Sequence, residues 1–376
     1  MKQLGLILSG GGARGAYQAG VVQGIYEVLR KESLPFKIDH FSGVSAGAIN
    51  ASFLASGWHE PENAIKKLVD FWANLQSENV YNTDVVSLGK IGLKWFGELS
   101  LGGLTGSTTP GRALLDTDPL KAFLNTHLKI SQVKQNIHEK HFESLIITAV
   151  DYSDSTAVSF IQAGKEIKTW QKQRRVSELS EITHDHILGS SAIPLLFPPR
   201  PIGERFFGDG CVRNSHPCGP SIYAGAEKLI VIGVKGKSYT PYNSQLHGIK
   251  SPPSVARVIN VLLNAVLLDN VEHDVERIDR MNDLVTYVDD KNKINYRKLD
   301  YVFISPSRDL GEIASKHSRK IPKIIRYLIK GLGNINEANE LISYLLFESD
   351  FCSELIEVGF QDALNHKDDL LKLYQS

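Results

Sequence analysis

The sequence predicts an α/β protein: a three-layer α/β/α fold on a mainly parallel central sheet, with a mostly helical C-terminal extension. Three observations favour this fold class. Short apolar runs alternate with amphipathic helical segments over the first two thirds of the chain, as in a parallel sheet with helices on both faces. Two of these runs pass through glycine-containing turns directly into helical segments. The last third is mostly helical in its apolar spacing, with one further strand-like run.

Each strand and helix is predicted from its own residues. LGLILS (4–9) and IDHFSGVS (38–45) are the first two strands. The segments that follow them, 16–32 and 46–57, have the apolar spacing or the small residues of helices. Further buried strands are rich in Ile, Val or Phe, and they cover residues 142–152, 204–210, 227–234 and 299–307.

The chain divides into three predicted parts, which suits its length of 376 residues. Residues 4–235 carry the alternation of strands and helices and form the first domain. Residues 236–254 are polar and rich in Pro, Gly and Ser, the composition of a linker or surface loop. Residues 255–376 form the mostly helical C-terminal region, which is expected to pack on the first domain.

Charge and cysteine content exclude several classes of function. Lys plus Arg and Asp plus Glu are 42 each, so no overall field attracts nucleic acid, and no nucleic-acid partner is expected. Three cysteines are too few for a disulfide framework. The first apolar run is too short for a signal peptide, and no run is long enough to span a bilayer. We therefore expect a cytoplasmic protein; peripheral membrane contact and export without a cleaved signal stay open.

GVSAG at 43–47 places a serine between two glycines where a predicted strand turns into a helix. A sharp turn of this kind exposes Ser45 at the end of the sheet, and glycine at Gly43 and Gly47 lets the backbones approach closely. The pattern alone also occurs by chance in chains of this length. Its position between a strand and a helix favours a nucleophilic Ser45.

The loop SGGGARG (9–15) ends the first predicted strand and satisfies the dinucleotide spacing G-x-G-x-x-G. Its backbone N–H groups would form an anion-binding concavity at the start of a helix. Because the carboxyl ends of neighbouring parallel strands open into one crevice, this loop and Ser45 are expected to meet. A dinucleotide site also needs an acidic residue at the tip of the second strand, whereas Asp39 lies at the other end.

The base that would activate Ser45 stays open on the residues alone, although a serine hydroxyl is a weak nucleophile without one. His184, His186 and His216 are candidates, and each is equally compatible with a structural role. Asp209 is the stronger signal, because it lies between two glycines just after a predicted strand. An ordinary Asp-Gly turn would have the same sequence.

Four ordered motifs resemble those of the patatin-like phospholipase family of acyl hydrolases. The resemblance implies a patatin-like catalytic domain over residues 4–235 that cleaves fatty-acyl esters of phospholipids or lysophospholipids and needs no cofactor. It also implies a Ser-Asp dyad, with Ser45 as nucleophile and Asp209 as base. The motifs are LSGGGARGAYQAGV (8–21), FSGVSAGAINAS (41–52), GSSAIPLLFPP (189–199) and FFGDGCVRNSHP (206–217).

The resemblance further implies that the glycine loop is the oxyanion hole, and one motif departs from the family pattern. The family's Asp-Gly-Gly or Asp-Gly-Ala is here Asp209, Gly210 and Cys211; cysteine is small, so the geometry is expected to survive. A free aspartate has a pKa of about 3.9, so this base predicts activity at mildly acidic pH. The oxyanion hole would be lined by Gly10, Gly11, Gly12, Ala13, Arg14 and Gly15.

Three alternative functions remain. A nucleotide-binding oxidoreductase is disfavoured by the position of Asp39. An acyltransferase or thioesterase for carrier-bound acyl groups would also use G-x-S-x-G, usually with a histidine base. A catalytically silent lipid-binding scaffold is disfavoured by the intact Ser45, Asp209 and glycine loop. No metal is expected, since the sequence has no EF-hand loop or cluster with metal-ligand spacing.

Three segments are candidates for contact with lipid or with a second copy. Residues 322–333 predict a basic amphipathic helix, suited to an anionic membrane surface or to packing on the core. Trp95 and Phe96 fit interfacial insertion, a lid or the core, and residues 255–271 fit a buried helix or a dimer face. The oligomeric state stays open. The basic face of the predicted helix is Arg319, Lys323, Arg326 and Lys330.

Overall fold

The structure, a computed structural model, describes most of the 376-residue chain. The described residues are 2–82, 113–164, 167–236, 252, 257–258, 261–262, 264–265, 269–287, 297–323, 325–327 and 339–376.

Ten strands of the described chain form one sheet. They are β1 (Leu4–Leu8), β2 (His40–Val44), β3 (Ser144–Asp151), β4 (Thr156–Ala163), β5 (Gln171–Lys172), β6 (Arg175–Leu179), β7 (Arg200–Ile202), β8 (Arg205–Asp209), β9 (Lys228–Ile232) and β10 (Asp300–Ile304).

Five neighbouring strands form a parallel block in the order β10-β9-β1-β2-β3. The continuation β4-β6-β5 begins antiparallel to β3. Strand β8 also pairs antiparallel with β3, and β7 pairs with β8. The sheet is therefore mixed but mainly parallel at its centre, where the first two strands lie side by side.

Thirteen α-helices are described. They are α1 (Gly15–Lys31), α2 (Ala46–Gly57), α3 (Pro61–Ala73), α4 (Ser77–Val80), α5 (Asp118–His127), α6 (Gln132–His138), α7 (His184–Ser190), α8 (Gly219–Ala224), α9 (Asp269–Thr286), α10 (Leu310–His317), α11 (Asn339–Leu345), α12 (Ser349–Asn365) and α13 (Lys367–Gln375).

Helices cover both faces of the sheet, as the side chains of β1 show. Leu6 and Leu8 belong to a large buried cluster that includes residues of α1, α2 and α12. The residue between them, Ile7, belongs to a second buried cluster with Cys218 and with residues of α9. Alternate residues of a strand point to opposite faces, so the two clusters lie on opposite sides of one sheet.

The predicted fold class is confirmed, and each predicted strand and helix of the first 57 residues is present. Strands β4 to β7 were not predicted. Strand β6 is largely half-buried and β5 is only two residues long and exposed, so neither shows a clear apolar run. Strand β10 lies in the predicted C-terminal region and pairs with β9. The three-part domain division stays a prediction, and most of its proposed linker lies outside the described residues.

Candidate active site

The register of β3 brings the ends of two sequence-distant strands together. Residues up to Thr148 pair with β2, whose last residue, Val44, lies opposite Thr148. The next three residues of β3 pair instead with β8, and Asp209 lies opposite Ala149. Strand β8 therefore continues the line of β2 from the opposite direction, and Ser45 and Asp209 meet where the two strands end.

Ser45 occupies the turn between β2 and α2 in a backbone conformation that L-residues rarely adopt. Its φ is 54° and its ψ is −125°. Non-glycine residues held in such regions cost on the order of 1–3 kcal/mol and persist where the surroundings enforce them. The turn is enforced by close backbone contact: a Cβ on Gly43 would overlap the carbonyl of Gly47, and one on Gly47 would overlap the carbonyl of Leu8.

The side chains of Ser45 and Asp209 form a direct hydrogen bond. Ser45 Oγ donates to Asp209 Oδ2 at 2.6 Å, and both residues are buried. Asp209 Oδ1 accepts from the backbone N–H of Cys211 at 2.9 Å. Burial raises the pKa of Asp209 to about 6, against the hydrogen bonds from Ser45 and Cys211, which lower it. The carboxylate is thus held in place and made more basic than a free aspartate.

Two further serines bond to the turn from β2 into α2 that carries Ser45, called the serine elbow below. The sequence analysis assigned no role to either of them. Ser190 Oγ accepts from the backbone N–H of Ser45 at 2.9 Å and donates to the carbonyl of Thr148 at 2.7 Å. Ser191 Oγ shares its one proton between the carbonyls of Ser45, at 3.1 Å, and Ile187, at 2.9 Å. Both lie in the third motif quoted above, GSSAIPLLFPP, which was the available signal. Their hydroxyls fix the peptide groups on both sides of the Ser45 side chain.

The glycine loop runs from β1 into a short 3-10 turn, Gly12–Arg14, before α1. Gly12 has a φ of 56°, and a Cβ there would overlap the carbonyl of Tyr344. The N–H of Arg14 donates to the carbonyl of Gly11, and the N–H of Gly15 is also bonded inside the turn. The N–H of Gly10 bonds to the Cys211 thiol. Because N–H groups at the start of a helix otherwise lack intrahelical acceptors, those of Gly11, Gly12 and Ala13 are the candidate donors to an oxyanion.

The hydrogen bonds and ion pair of the Arg14 side chain involve neither Ser45 nor Asp209. Its guanidinium forms an ion pair with Glu340, donates from Nε to Ser343 Oγ at 2.8 Å, and contacts the carbonyl of Val234 at 3.3 Å. The Tyr344 ring lies 4.9 Å from the Arg14 guanidinium carbon. The side chain of Arg14 is 2 % exposed. Through its contacts with Glu340, Ser343 and Tyr344, Arg14 anchors the glycine loop to the C-terminal region.

Cys211 fills the space between the glycine loop and Asp209. A Cβ built on Gly10 would overlap its sulfur and lie 2.9 Å from Ser45 Cβ. Burial, together with the Asp209 carboxylate, raises the pKa of the Cys211 thiol well above its usual value. The departure from the family motif thus places a neutral thiol against both Asp209 and Gly10.

A narrow apolar pocket of about 20 Å³ lies beside Ser45. Gly12, Ser45 and Ser191 contribute to it, and the remaining walls are Ala46, Ile49, Phe71, Trp72, Leu75, Val80, Leu120, Ile193, Phe197 and Phe347.

The three candidate histidines make their hydrogen bonds away from Ser45. His184 contacts the carbonyl of Leu128 at 3.1 Å, and His216 contacts Ser215. His186 caps α7 through Thr183, and burial lowers its pKa to about 4. Burial, with Arg175 and Arg277 nearby, also lowers the pKa of His216 to about 4.

Other sequence candidates lie partly outside the described residues. Trp95, Phe96 and Lys330 are among these, as are 8 of the 17 residues of the segment 255–271. Arg319 and Lys323 are exposed, whereas Arg326 is half-buried and donates to the carbonyls of Ser318 and Arg319. Ile321 and Ile325 are buried, which fits packing on the core. Within the described ranges, no helix is both long and apolar enough to cross a membrane.

Asp39 lies next to the first residues of β1 and β2, away from the end of β2 where a dinucleotide site needs an acidic residue. Its carboxylate accepts from the backbone N–H of Leu4, the first residue of β1, at 2.8 Å. It therefore lies at the amino ends of these strands, whereas the glycine loop follows the carboxyl end of β1.

The fold and the site define an α/β protein whose serine elbow follows its second strand and faces a glycine loop on the first. The sequence profile described as patatin-like phospholipase matches residues 6–222, more than half of the chain. The chain belongs to the patatin-like phospholipase family.

Two individual proteins show more distant similarity. The protein named Probable lipid hydrolase 463L, from Invertebrate iridescent virus 6, is 24% identical over 217 residues. That alignment covers 56% of this chain and 61% of the relative, less than two thirds of its length. The crystal structure of VipD from Legionella pneumophila is 15% identical, with a TM-score of 0.34, and the match covers 95% of this chain and 67% of that one.

Proposed function

We propose that this protein is a lipid acyl hydrolase of the phospholipase A or lysophospholipase type, acting through Ser45 and Asp209. The observation that carries the proposal is the 2.6 Å hydrogen bond from Ser45 Oγ to the buried Asp209 carboxylate, in a chain of the patatin-like phospholipase family. The strained elbow and the adjoining apolar pocket support it.

In the acylation step, Ser45 Oγ attacks the ester carbonyl carbon while its proton passes to Asp209 Oδ2. The carbonyl π electrons move onto oxygen and form a tetrahedral oxyanion. When this intermediate collapses, the bond to the alcohol breaks, and the departing alcohol takes the proton from Asp209. Water then repeats the sequence against the acyl-Ser45 ester, which releases the fatty acid and restores the serine.

The oxyanion is stabilised by backbone N–H groups of the glycine loop, of which Gly11, Gly12 and Ala13 are the available donors. Gly12 shares the small pocket with Ser45, as the proposal requires. Fixed donors aimed at developing charge often supply the largest catalytic contribution. The N–H groups of Arg14 and Gly15 serve the turn itself, and that of Gly10 bonds to the Cys211 thiol. Three of the six residues predicted from the sequence therefore remain as proposed donors.

The apolar walls beside Ser45 suit an acyl chain rather than a polar substrate. Their present volume of about 20 Å³ is far below the roughly 300 Å³ of small ligand pockets. We therefore expect the wall side chains to move apart when an acyl chain binds. Contact with an anionic membrane through the exposed Arg319 and Lys323 is proposed as the route by which the enzyme reaches its substrate.

The test is fatty-acid release from phosphatidylcholine and lysophosphatidylcholine dispersions by the wild type, Ser45→Ala and Asp209→Asn. We expect release by the wild type and a loss of at least about 10³-fold in either variant, since each removes one half of the nucleophile–base pair. Undiminished release by either variant would overturn the proposal.

A further inference from the structure

The residues 339–348, called the C-terminal segment below, lie outside the region matched by the family profile yet border the catalytic site. The segment contacts the glycine loop at two places. The carbonyl of Tyr344 packs against Gly12, and the Glu340 carboxylate pairs with Arg14.

The Arg14–Glu340 ion pair holds the glycine loop through a guanidinium that is almost completely buried. The Arg14 side chain is 2 % exposed and that of Glu340 is 29 % exposed. A guanidinium this deeply buried needs a paired anion, because removal of the anion would leave an uncompensated buried charge. Arg14 also lies two residues after Gly12, so the position of the pair is transmitted directly to the proposed oxyanion donors.

The C-terminal segment is itself held firmly against the first domain. Tyr81 donates to the carbonyl of Leu345 at 2.9 Å, and Ser77 Oγ contacts the carbonyl of Phe347 at 3.1 Å. Phe347 then forms part of the pocket wall beside Ser45. One segment therefore contacts the loop that would hold the oxyanion and the pocket that would hold the acyl chain.

We propose that Glu340 is a positioning residue, which acts through Arg14 to hold the N–H groups of Gly11, Gly12 and Ala13 where the oxyanion forms. This inference rests on the proposed function and deepens it. It predicts that the C-terminal segment is required for transition-state stabilisation and not only for stability. A displacement of about 1 Å at such a site is enough to reduce the rate by roughly 100-fold.

The experiment compares Glu340→Gln and Ser343→Ala with the wild type on p-nitrophenyl butyrate. A trifluoromethyl ketone of matching chain length serves as the probe of oxyanion binding, because it adds to the serine as a tetrahedral adduct with a negative oxygen. Glu357→Gln is the matched control, since this glutamate is exposed on α12 and its carboxylate accepts from Gln361.

For Glu340→Gln we expect kcat to fall by roughly 10- to 100-fold, KM to change less than about threefold, and the ketone to bind more weakly by a factor similar to the loss in kcat. Ser343→Ala removes one hydrogen bond that the Arg14 guanidinium donates, but leaves the ion pair with Glu340, and should show the same pattern at about 3- to 10-fold. It carries the test if Glu340→Gln does not fold. Glu357→Gln should match the wild type.

The inference is overturned if the variants keep the wild-type kcat and ketone affinity, or if only KM changes. The Ser45→Ala variant distinguishes failure of the positioning role of Glu340 from failure of the proposed function. If that variant is inactive on the ester while the Glu340 and Ser343 variants behave as wild type, only the positioning role fails. If Ser45→Ala keeps full activity, the proposed function itself fails.

Discussion

The hydroxyl of Ser45 donates a hydrogen bond to the carboxylate of Asp209, and Asp209 is completely buried. Burial raises the pKa of this carboxyl to about 6, so the base is less acidic than the free aspartate assumed from sequence. The pH below which activity is expected to fall is therefore higher than for a free aspartate.

We predict that kcat/KM rises with pH through a single ionisation near pH 6 and is flat above it, because only the ionised Asp209 accepts the proton. A pH–rate profile on a soluble ester measures this. Activity that persists undiminished at pH 4 would contradict it. Since histidine titrates in the same range, the profile alone does not distinguish the two bases.

Substitution of the histidines makes that distinction. His184→Gln, His186→Gln and His216→Gln should each keep kcat within about threefold of the wild type, since their hydrogen bonds serve local structure. Asp209→Asn should lose at least about 10³-fold. A comparable loss in any histidine variant that keeps the wild-type melting temperature would assign the base to that histidine.

Asp209 should also lower the stability of the protein at neutral pH. Its folded pKa of about 6 exceeds the unfolded value, so the folded state binds the proton more tightly. The stability contributed by this group is therefore complete below about pH 4 and is lost as pH rises to about 6. The whole loss is on the order of 3 kcal/mol for a shift of this size.

Asp209→Asn removes that ionisation while keeping the shape of the side chain. The difference in unfolding free energy between Asp209→Asn and wild type should be small at pH 4 and should favour the variant by about 2–3 kcal/mol at pH 7. Urea denaturation at the two pH values measures it. A difference that does not change with pH would mean that Asp209 is not titrating in this window.

Cys211 should tune the base without taking part in the reaction. Its thiol and backbone N–H both lower the pKa of Asp209 by hydrogen bonding. Cys211→Ala should therefore shift the acid limb of the pH–rate profile to higher pH, while activity at pH 8 stays within about fivefold. Cys211→Ser keeps a donor and should shift the limb less; equal shifts in both variants would exclude a hydrogen-bonding role for the thiol.

Gly47→Ala should disrupt the elbow. The added methyl group would overlap the carbonyl of Leu8, and relief requires β1 and α2 to separate. We expect a loss of at least about 2 kcal/mol in unfolding free energy together with loss of activity. Gly219→Ala is the matched control, because its nearest neighbour would lie 3.6 Å away. Equal stability of the two variants would contradict this description of the turn.

Local patterns were enough to predict the strands and helices at the centre of the fold, whereas the pairing of Ser45 with Asp209 was predicted only through the resemblance to the patatin-like phospholipase family. Glycine is required at Gly43 and Gly47, on either side of the turn from β2 into α2, because a Cβ at either position would overlap a backbone carbonyl. The roles of Ser190 and Ser191 could not be assigned, because a serine hydroxyl bonds whatever the fold places beside it. The contact between Arg14 and Glu340 joins residues far apart in sequence, and a single sequence carries no signal for such pairs.

The most direct test of the Ser45–Asp209 mechanism is to trap the acyl-enzyme. The wild type is mixed with a p-nitrophenyl ester and quenched in acid within its first turnovers, and the adduct is located by peptide mass spectrometry. We predict an acyl group on Ser45, absent in Ser45→Ala and formed roughly 10³-fold more slowly in Asp209→Asn. An acyl group on another residue, or acylation of Asp209→Asn at the wild-type rate, would contradict the mechanism.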